Sequence, residues 1–501
     1  MKKQDILKII SIVSSLILLM FSNGCKDNRT QELSSSRNEE ILSEIEEYSF
    51  DVTSSSEIMT ESYEEPITTK SPDDNDEYNK KANSSSDFSY ENTTEGDVRI
   101  LRYNGISADV IIPSRIEKKV VTEIGDSAFK DLAGLQKVEI PSTVKSIGEY
   151  TFYNCIGLTS ITLKDGLEII KQSAFANCEN LPELNLPITL TEIQAKAFSN
   201  CKKLKCIEIP DSVTSFGTPT DYYEGGAVFS GCENLTSVKL SESQYCIPID
   251  SFKDCISLNN IKIPDSVRTL EEGAFVNCTS LKEITIPGSV SEINYPGIGS
   301  FPDGPFGDCT SLEKVTINEG SLKTISYGMF GGCVSLKEVI IPENIIEIGK
   351  FAFNGCESLS QVKLPSQLQY LDIDCFKGCV KLSEIIIPNT CIYIGENAFS
   401  GCANLSSVTL PENVQAMTIE AFAGSAIQEI IIPNNVTSFD FGYCEKLKNI
   451  TVKGSNTELI ISGYFGSNLG SDFNELTIYA PSGSKAEIFA KENGVNFSVL
   501  N

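Results

Sequence analysis

The sequence predicts a repeat solenoid, in which one short stretch of chain forms one coil and successive coils stack. Thirteen phenylalanines recur, mostly 23 residues apart, with one interval of 24 and two of 31. A repeat of this length cannot bury its apolar side chains alone, so neighbouring coils must cover one another. A chain of 501 residues is too long for one ordinary compact domain, and stacking solves this because the core then grows along one direction. The phenylalanines are Phe129, Phe152, Phe175, Phe198, Phe229, Phe252, Phe275, Phe306, Phe330, Phe353, Phe376, Phe399 and Phe422.

Each repeat has the same internal pattern when its phenylalanine is numbered zero. Cysteine follows at +3, leucine at +6, apolar residues at +9, +11, +15 and +18, and often proline at +12. Apolar residues at +9 and +11 have the period of a strand with one buried face, and proline ends such a ladder. A small residue before the phenylalanine and Gly or Asn after it predict a tight turn. We therefore expect about 14 to 15 coils with short parallel strands and turns.

Twelve of the 17 cysteines occupy the +3 position. Metal binding is disfavoured because the chain has no histidine and no CxxC pair. Leu132 and Ser425 fill the same position without any partner cysteine being lost, which favours a column of reduced thiols packed in the core. Disulfides stay the alternative, because adjacent coils bring alpha carbons within range and exported proteins often contain bridges. The column is Cys155, Cys178, Cys201, Cys232, Cys255, Cys278, Cys309, Cys333, Cys356, Cys379, Cys402 and Cys444.

The composition excludes several classes of function. A formal net charge of −28 argues against nucleic acid as a partner. The absence of histidine removes the usual general base of serine and cysteine hydrolases and the commonest metal ligand. Scattered carboxylates have no spacing that indicates acid–base catalysis. The sequence therefore predicts no enzyme, no catalytic or metal site and no cofactor.

The N-terminal residues have the features of an export signal. Lysines flank the start of an apolar run from Ile9 to Phe21, which is typical of a signal peptide over residues 1–24. Gly24 and Cys25 resemble the bacterial lipobox, in which the cysteine is lipidated, although Ser22 departs from that pattern. A plain cleaved signal and an uncleaved anchor remain alternatives. Residues 25–96 are acidic and rich in Ser and Thr, so we expect a disordered tether, with an acidic recognition tail as the alternative.

Two insertions interrupt the repeat and supply the candidate ligand contacts. The segments 217–229 and 294–306 each add eight residues between the +18 position and the next phenylalanine. Both are rich in Gly and Pro and contain aromatic residues, a composition suited to recognition: Tyr222, Tyr223, Tyr295 and Phe301. The alternative is a tolerated surface insertion without a ligand. The outward +10 position is a mixed polar column with modest basic patches at Lys239 and Lys262. We expect simple solvation for it, with a protein ligand along the strand face as the alternative.

The stretch "AFSGCANLSSVTLPENV" and its counterparts resemble the BspA-like (Treponema pallidum-type) leucine-rich repeats of bacterial surface proteins. The resemblance covers about residues 97–501 and implies a leucine-rich-repeat solenoid displayed at a cell surface, with adhesion or host-protein binding in some members. It divides this part into an N-terminal entry segment (97–128), a solenoid (129–474) and a C-terminal cap (475–501). In the cap, Ser484 is expected to begin a short helix that reaches Glu492, with Gly494 as its stop.

The function predicted from these features is non-enzymatic binding at the outer face of a bacterial membrane. The partner is expected to be a protein or a surface glycoconjugate, and a lipid at Cys25 is expected to hold the chain to the membrane, with secretion as the alternative. A passive envelope scaffold or spacer without a specific ligand is the competing function.

Overall fold

The computed structural model describes residues 76–218, 225–294, 304–417, 420–461 and 475–500. These residues belong to a compact unit spanning Lys70–Asn501. The unit is a parallel β-solenoid with short strands and few helices, which confirms the predicted fold class. The signal segment, Cys25 and the tether residues up to 75 lie outside the described residues.

The first strand ladder contains the strand that follows the +6 leucine of each repeat. Within it, side chains alternate between buried and exposed, as in Glu384–Ile386, so +9 packs inward while +8 and +10 face outward. Pro182 interrupts the ladder because it has no N–H to donate, and residues 183–186 form no strand. The strands are β3 (Asp109–Ile111), β6 (Lys137–Glu139), β8 (Ser160–Thr162), β11 (Cys206–Glu208), β13 (Ser237–Lys239), β15 (Asn260–Ile261), β17 (Glu283–Ile286), β19 (Lys314–Ile317), β21 (Glu338–Ile340), β24 (Glu384–Ile386), β26 (Ser407–Thr409), β28 (Glu429–Ile432), β30 (Asn449–Val452), β32 (Thr477–Ala480) and β33 (Asn496–Val499).

The second strand ladder contains the extended segment near +17 and +18. It is a separate set of strands, parallel from β2 onward, whose +18 residues, such as Ile147 and Ile170, are fully buried. Its strands are β1 (Phe88–Asn92), β2 (Val98–Tyr103), β5 (Lys119–Ile124), β7 (Ser146–Ile147), β9 (Ile169–Ile170), β10 (Glu192–Gln194), β12 (Ser215–Thr218), β14 (Cys246–Ile247), β16 (Thr269–Glu271), β18 (Glu292–Asn294), β20 (Thr324–Ile325), β22 (Glu347–Ile348), β23 (Tyr370–Leu371), β25 (Tyr393–Ile394), β27 (Ala416–Met417), β29 (Ser438–Asp440) and β31 (Glu458–Ile460). A short strand, β4 (Arg115–Ile116), pairs antiparallel with β5.

The N-terminal cap begins earlier than the sequence predicted, so the tether boundary at residue 96 is wrong. Helix α1 (Asp76–Lys81) and a 3-10 turn (Ser85–Asp87) precede β1, which pairs antiparallel with β2 and buries Phe88. The amide of Asn83 donates to Ile111 O, and Ile111 N donates to Asn83 Oδ1. This segment therefore covers the free edge of β3, which would otherwise expose unpaired backbone groups. Composition concealed it because its few contacts are made by isolated aromatic and amide side chains.

An unbroken stack of aromatic rings runs through the core. From Tyr103 through all thirteen repeat phenylalanines to Phe422, neighbouring ring centroids lie 5.0 to 5.7 Å apart. The stack passes both insertions without interruption, with 5.3 Å from Phe198 to Phe229 and 5.1 Å from Phe275 to Phe306. The core is therefore continuous across the positions of both insertions.

The twelve +3 cysteines form a second ladder inside the core. Each thiol donates to the backbone carbonyl of the phenylalanine in the preceding coil, over Sγ to O distances of 3.0 to 3.4 Å. All sixteen cysteines of the described residues are free, and all twelve of this column are buried. Cys375 and Cys391 also pack in the core, whereas Cys206 is exposed. The column thus combines apolar packing with a weak hydrogen bond between coils.

The turn at each phenylalanine has a left-handed residue at +2, and in twelve of the thirteen repeats it has another at −2. In the repeat of Phe353, for example, φ is 59° at Phe351 and 74° at Gly355. Most +2 positions are therefore Asn, Asp or Gly, the residues that adopt this conformation at least cost.

The C-terminal cap confirms the predicted helix. Helix α2 (Lys485–Asn493) begins at Ser484, whose hydroxyl accepts from Glu487 N, and ends at Gly494 with φ 69°. Strand β33 then pairs parallel with β32 and extends the first ladder.

Candidate functional site

The four aromatic residues proposed for the insertions lie outside the described residues, as does Cys25. The base of the first insertion is described: Gly226 N donates to Gly217 O over 2.9 Å and so closes it. A Cβ on Gly226 would lie 2.0 Å from Ile249 O, and φ is +81°, so this position requires glycine. The second insertion begins after Asn294 at the end of β18, as the first follows β12. The second ladder is interrupted after both strands.

The outward +10 column can be followed along the first ladder. We call residues 129–329 the N-terminal coils and residues 330–440 the C-terminal coils. In the N-terminal coils, none of the eight +10 residues is a large apolar one: Glu139, Thr162, Asn185, Glu208, Lys239, Lys262, Thr285 and Thr316.

Charged members of the +10 column in the N-terminal coils are neutralised by neighbours. Lys239 pairs with Glu208 of the adjacent coil. Lys164 Nζ lies 2.8 Å from Glu139 Oε1, and Lys262 Nζ lies 3.7 Å from Glu242 Oε1. This part of the column is thus a set of polar and paired side chains, consistent with simple solvation.

The C-terminal coils differ, because the same column contains exposed isoleucines. Ile340, Ile386 and Ile431 are 45%, 70% and 56% exposed, respectively. We call these three residues the isoleucine stripe. Thr409 lies between Ile386 and Ile431, and Lys363 lies between Ile340 and Ile386. Simple solvation, which the sequence predicted for the whole column, does not explain three large apolar side chains on one outward face.

Sequence reasoning missed Ile431, because the repeat of Phe422 is one residue shorter before its strand. Ile431 is nine residues after its phenylalanine, not ten. The burial pattern of Glu429–Ile432 nevertheless begins like that of Glu384–Ile386, with the central residue buried and its two neighbours exposed. The signal was present as a recurring Glu-x-Ile, in which the x residue packs inward, at residues 338–340, 384–386 and 429–431.

A shallow groove of about 550 Å³ adjoins the stripe at its C-terminal end. Val408, Leu410 and Ile431 supply its apolar lining. Glu412 and Lys453 also line the groove and form an ion pair, with Lys453 Nζ 2.6 Å from Glu412 Oε1. The C-terminal end of the stripe therefore adjoins a concave surface.

The carboxylates beside the stripe give it a negative border. Glu384 and Glu429 face outward two residues before Ile386 and Ile431, and neither forms an ion pair within the described residues. Glu343, on the side of the column where the strands end, accepts from Ser366 N and pairs with Lys363. These contacts lower the pKa of Glu343 to about 2, so its carboxylate is ionised at neutral pH.

The buried thiols are unsuited to chemistry. Burial raises the pKa of Cys155, Cys201 and Cys309 to about 12, so these thiols stay protonated at neutral pH. A protonated thiol donates a hydrogen bond but is a poor nucleophile and metal ligand. Within the residues that the structure covers, no group of three or more Cys, Asp or Glu side chains is arranged to hold a metal ion. Across the same residues, none of the helices has the length and apolar character needed to span a membrane.

Comparisons with known proteins agree with this architecture. The family model for the BspA type leucine rich repeat region matches six times, over residues 109–223, 225–296, 296–390 and 372–479. A search of curated proteins gives no match.

Several solved structures are similar to this chain. A leucine-rich repeat protein from Bacteroides ovatus is 29% identical, covers 65% of this chain and 94% of its own, and has a TM-score of 0.43. A leucine rich cell surface protein from Faecalibacterium prausnitzii is 23% identical, with 77% and 95% covered and a TM-score of 0.43. The T. pallidum leucine rich repeat protein is 24% identical, with 56% and 91% covered and a TM-score of 0.29. The family model matches well over half of the present chain, which therefore belongs to the BspA-type leucine-rich repeat family.

Proposed function

We propose that this chain is a non-enzymatic binding protein of the bacterial cell surface and that the isoleucine stripe is its docking face. The observation that carries the proposal is the exposure of three isoleucines in a single column whose N-terminal members are all polar. Isolated apolar residues are ordinary on a protein surface, but an ordered row of them on a rigid scaffold is typical of an interaction site.

The energetics favour a protein ligand for this face. Fully burying an exposed isoleucine side chain contributes roughly 1.5–3 kcal/mol. These three side chains are 45–70% exposed, so each contributes a proportional part of that range, and together they supply a useful share of a binding free energy. The strands beneath the stripe are fixed by the ring stack and the thiol ladder, so little conformational entropy is lost when a partner binds. A surface glycoconjugate would gain less from aliphatic side chains, which donate and accept no hydrogen bonds.

The proposed location follows from the N-terminal sequence and the family. An export signal over residues 1–24, a lipid on Cys25 and an acidic linker would place the solenoid outside the membrane. The ligand then approaches from the extracellular side, and the linker sets how far the stripe is displayed from the membrane.

The test is a binding comparison among variants of the purified chain. Surface plasmon resonance measures binding to a panel of extracellular matrix proteins and mucins. The stripe variant carries Ile386→Asp and Ile431→Asp, and its matched control carries Thr162→Asp and Thr285→Asp in the same column of the N-terminal coils. A third variant lacks residues 218–225 and 295–302, and circular dichroism verifies folding of each.

We expect the stripe variant to bind at least about ten-fold more weakly than the unaltered chain, while the control and the loop-deleted variant bind normally. Loss of binding in the loop-deleted variant alone would transfer the site to Tyr222, Tyr223, Tyr295 and Phe301. Absence of binding by every folded variant, the unaltered chain included, would favour the passive scaffold.

A further inference from the structure

We infer that the partner of the isoleucine stripe is an amphipathic α-helix whose apolar face is flanked by lysine or arginine. This inference rests on the proposed function and adds the chemistry and the secondary structure of the ligand. Three observations carry it: the spacing of the stripe, two carboxylates beside it that form no ion pair within the described residues, and a helix that contacts the same ladder at its N-terminal end.

The spacing of the stripe matches a helix that runs across the coils. The isoleucines lie on strands of three separate sheets, β21, β24 and β28, so the ring stack gives the spacing of their coils. Ring centroids of neighbouring coils lie 5.1 to 5.5 Å apart from Phe330 to Phe422, so isoleucines two coils apart are separated by roughly 10 Å. Seven residues of an α-helix rise about 10.5 Å, and one turn rises about 5.4 Å, close to one coil. A helix with an apolar residue at every seventh position can therefore contact Ile340, Ile386 and Ile431 in turn. The intervening turns of that helix would contact Lys363 and Thr409, which lie between the isoleucines in the column.

Other ligand conformations fit the stripe less well. Side chains on one face of an extended strand repeat about every 6.8 Å, which falls out of step with isoleucines about 10 Å apart. A polyproline II segment has a suitable repeat of about 9.3 Å, but grooves that bind such segments are lined by aromatic rings. The outward column from Ile340 to Ile431 contains no aromatic residue. The aliphatic stripe thus favours a helix.

The charges beside the stripe specify cations on the ligand. Glu384 and Glu429 lie on the same outward face as Ile386 and Ile431, two residues earlier in β24 and β28. Neither carboxylate has an ion-pair partner within the described part of the chain, although Glu429 Oε1 accepts from the neutral amide of Asn449 over 2.9 Å. Lys363 and Lys453, in contrast, are already paired with Glu343 and Glu412. A ligand that carries lysine or arginine along one flank would therefore gain charge complementarity without competing with existing pairs.

The protein already places a helix beside this ladder. At the N-terminal end, Tyr78 of α1 donates its hydroxyl to Ile112 O, just beyond β3. Lys164 Nζ lies 4.6 Å from the Tyr78 ring centroid while it pairs with Glu139 of the +10 column. This six-residue helix thus contacts residues two coils apart just beyond their strands, while Thr162 of the +10 column stays exposed. The isoleucine stripe is the part of the column suited to a longer helix.

The experiment is a peptide selection on the full purified chain. A phage-displayed library of random 16-residue peptides is panned against the chain, and the enriched peptides are synthesised. Fluorescence anisotropy gives their affinities, and circular dichroism reports their helicity on binding. The stripe is tested with Ile386→Thr and Ile431→Thr, which install the residue found at Thr162 and Thr285. The carboxylates are tested with Glu384→Gln and Glu429→Gln.

We expect enriched peptides with apolar residues seven positions apart and Lys or Arg along one flank, which become helical on binding. The threonine variant should bind them at least about ten-fold more weakly, and the glutamine variant should bind them more weakly with a reduced dependence on salt. Stripe-dependent peptides that are proline-rich, extended or acidic would overturn the helix inference and leave the proposed function standing.

Two further outcomes would overturn the assignment. Failure to enrich peptides, or enrichment of peptides that bind the threonine variant equally well, would contradict the docking face itself and with it the proposed function. Concentration-dependent self-association that the threonine substitutions abolish, measured by analytical ultracentrifugation, would place a second copy of this chain on the stripe in place of a foreign helix.

Discussion

The N-terminal and C-terminal coils build the same turn with different residues. In the N-terminal coils, seven of the eight +2 positions are Asn or Asp, with φ between 55° and 62°. Their side chains bond from coil to coil, as in Asn154 to Asp131 over 2.8 Å, Asn200 to Asn177 over 2.9 Å and Asn277 to Asp254 over 2.8 Å. In the C-terminal coils, the five +2 positions are glycines with φ between 69° and 74°. They are Gly332, Gly355, Gly378, Gly401 and Gly424.

The outward column changes in the same region as the turn. The N-terminal coils have paired charges at +10, whereas the C-terminal coils have exposed isoleucines. The ring stack and the thiol ladder continue through both without change. The core repeat therefore specifies the fold, while the +2 and +10 positions vary independently of it. Residues that differ between coils of equal fold are therefore the ones to examine for function.

The largest expected effect tests whether the two regions share one core. Phe252→Ala in the N-terminal coils and Phe376→Ala in the C-terminal coils each remove a fully buried ring from the stack. Each should lower the free energy of unfolding by about 3–5 kcal/mol, because both leave a large cavity between stacked neighbours. Urea denaturation of the chain measures the effect, and hydrogen exchange shows which coils open. Markedly unequal losses would break the claim of a common core.

Substitutions in the thiol ladder should change the free energy of unfolding by a smaller amount. Removing one thiol should lower it, and adding one at Ser425 should raise it. Cys278→Ala should cost about 1–2 kcal/mol, because it removes both buried volume and the bond to Phe252 O. Ser425 occupies the same position between Cys402 and Cys444, and within the described residues its buried hydroxyl has no hydrogen-bond partner. Ser425→Cys should therefore raise the unfolding free energy by about 0.5–1.5 kcal/mol, measured by thermal denaturation under reducing conditions. A destabilised Ser425→Cys variant would contradict the role given to the thiols.

Substituting one glycine tests the difference between the glycine turns of the C-terminal coils and the Asn and Asp turns of the N-terminal coils. A Cβ on Gly378 would lie 3.7 Å from Gly355, so space is available, but φ is +73°. Gly378→Ala should therefore cost about 1–2 kcal/mol through backbone strain alone. Gly378→Asn should cost less, because asparagine tolerates this conformation and is the residue that the N-terminal coils use. Equal costs in denaturant titrations would show that the two kinds of turn are not interchangeable.

The smallest expected effect is a pH dependence beside the stripe. Because the pKa of Glu343 is about 2 in the folded chain, below the usual value for a glutamate, its contribution to stability is complete above about pH 5. It is lost progressively as the pH falls towards 2. Glu343→Gln should flatten that part of the curve of melting temperature against pH. The control is Glu384→Gln, at a surface carboxylate that forms no ion pair within the described residues. An unchanged curve would contradict the contacts given to Glu343.

Most of the fold could be predicted because every coil repeats it. The period of 23 residues, the inward +9 and +11 positions and the cysteine column are local patterns that thirteen repeats reinforce. The cap over residues 76–96 could not be read in the same way, because its contacts, such as Asn83 with Ile111 and Tyr78 with Ile112, are made between residues far apart in sequence. Amide and phenol contacts of this kind have no periodic signature.

The candidate site was less predictable than the fold. Ile340 and Ile386 are visible in the +10 column, yet their exposure and the displaced register of Ile431 emerge only when the strands are aligned in space. The predicted loop residues Tyr222, Tyr223, Tyr295 and Phe301 lie outside the described residues and stay predictions. A one-residue shortening near Phe422 was enough to conceal the third isoleucine from a pattern counted along the sequence.

Hydroxyl-radical footprinting tests the central claim most directly, because it reports the solvent exposure of individual side chains. The chain is oxidised alone and with a peptide selected as described above, and mass spectrometry follows Ile340, Ile386 and Ile431. Ile188 in the N-terminal coils, which is 75% exposed, is the internal control. All four isoleucines should react in the free chain, and the peptide should protect the stripe while Ile188 reacts unchanged. Protection of Ile188 without protection of Ile386 and Ile431 would contradict the assignment of the docking face.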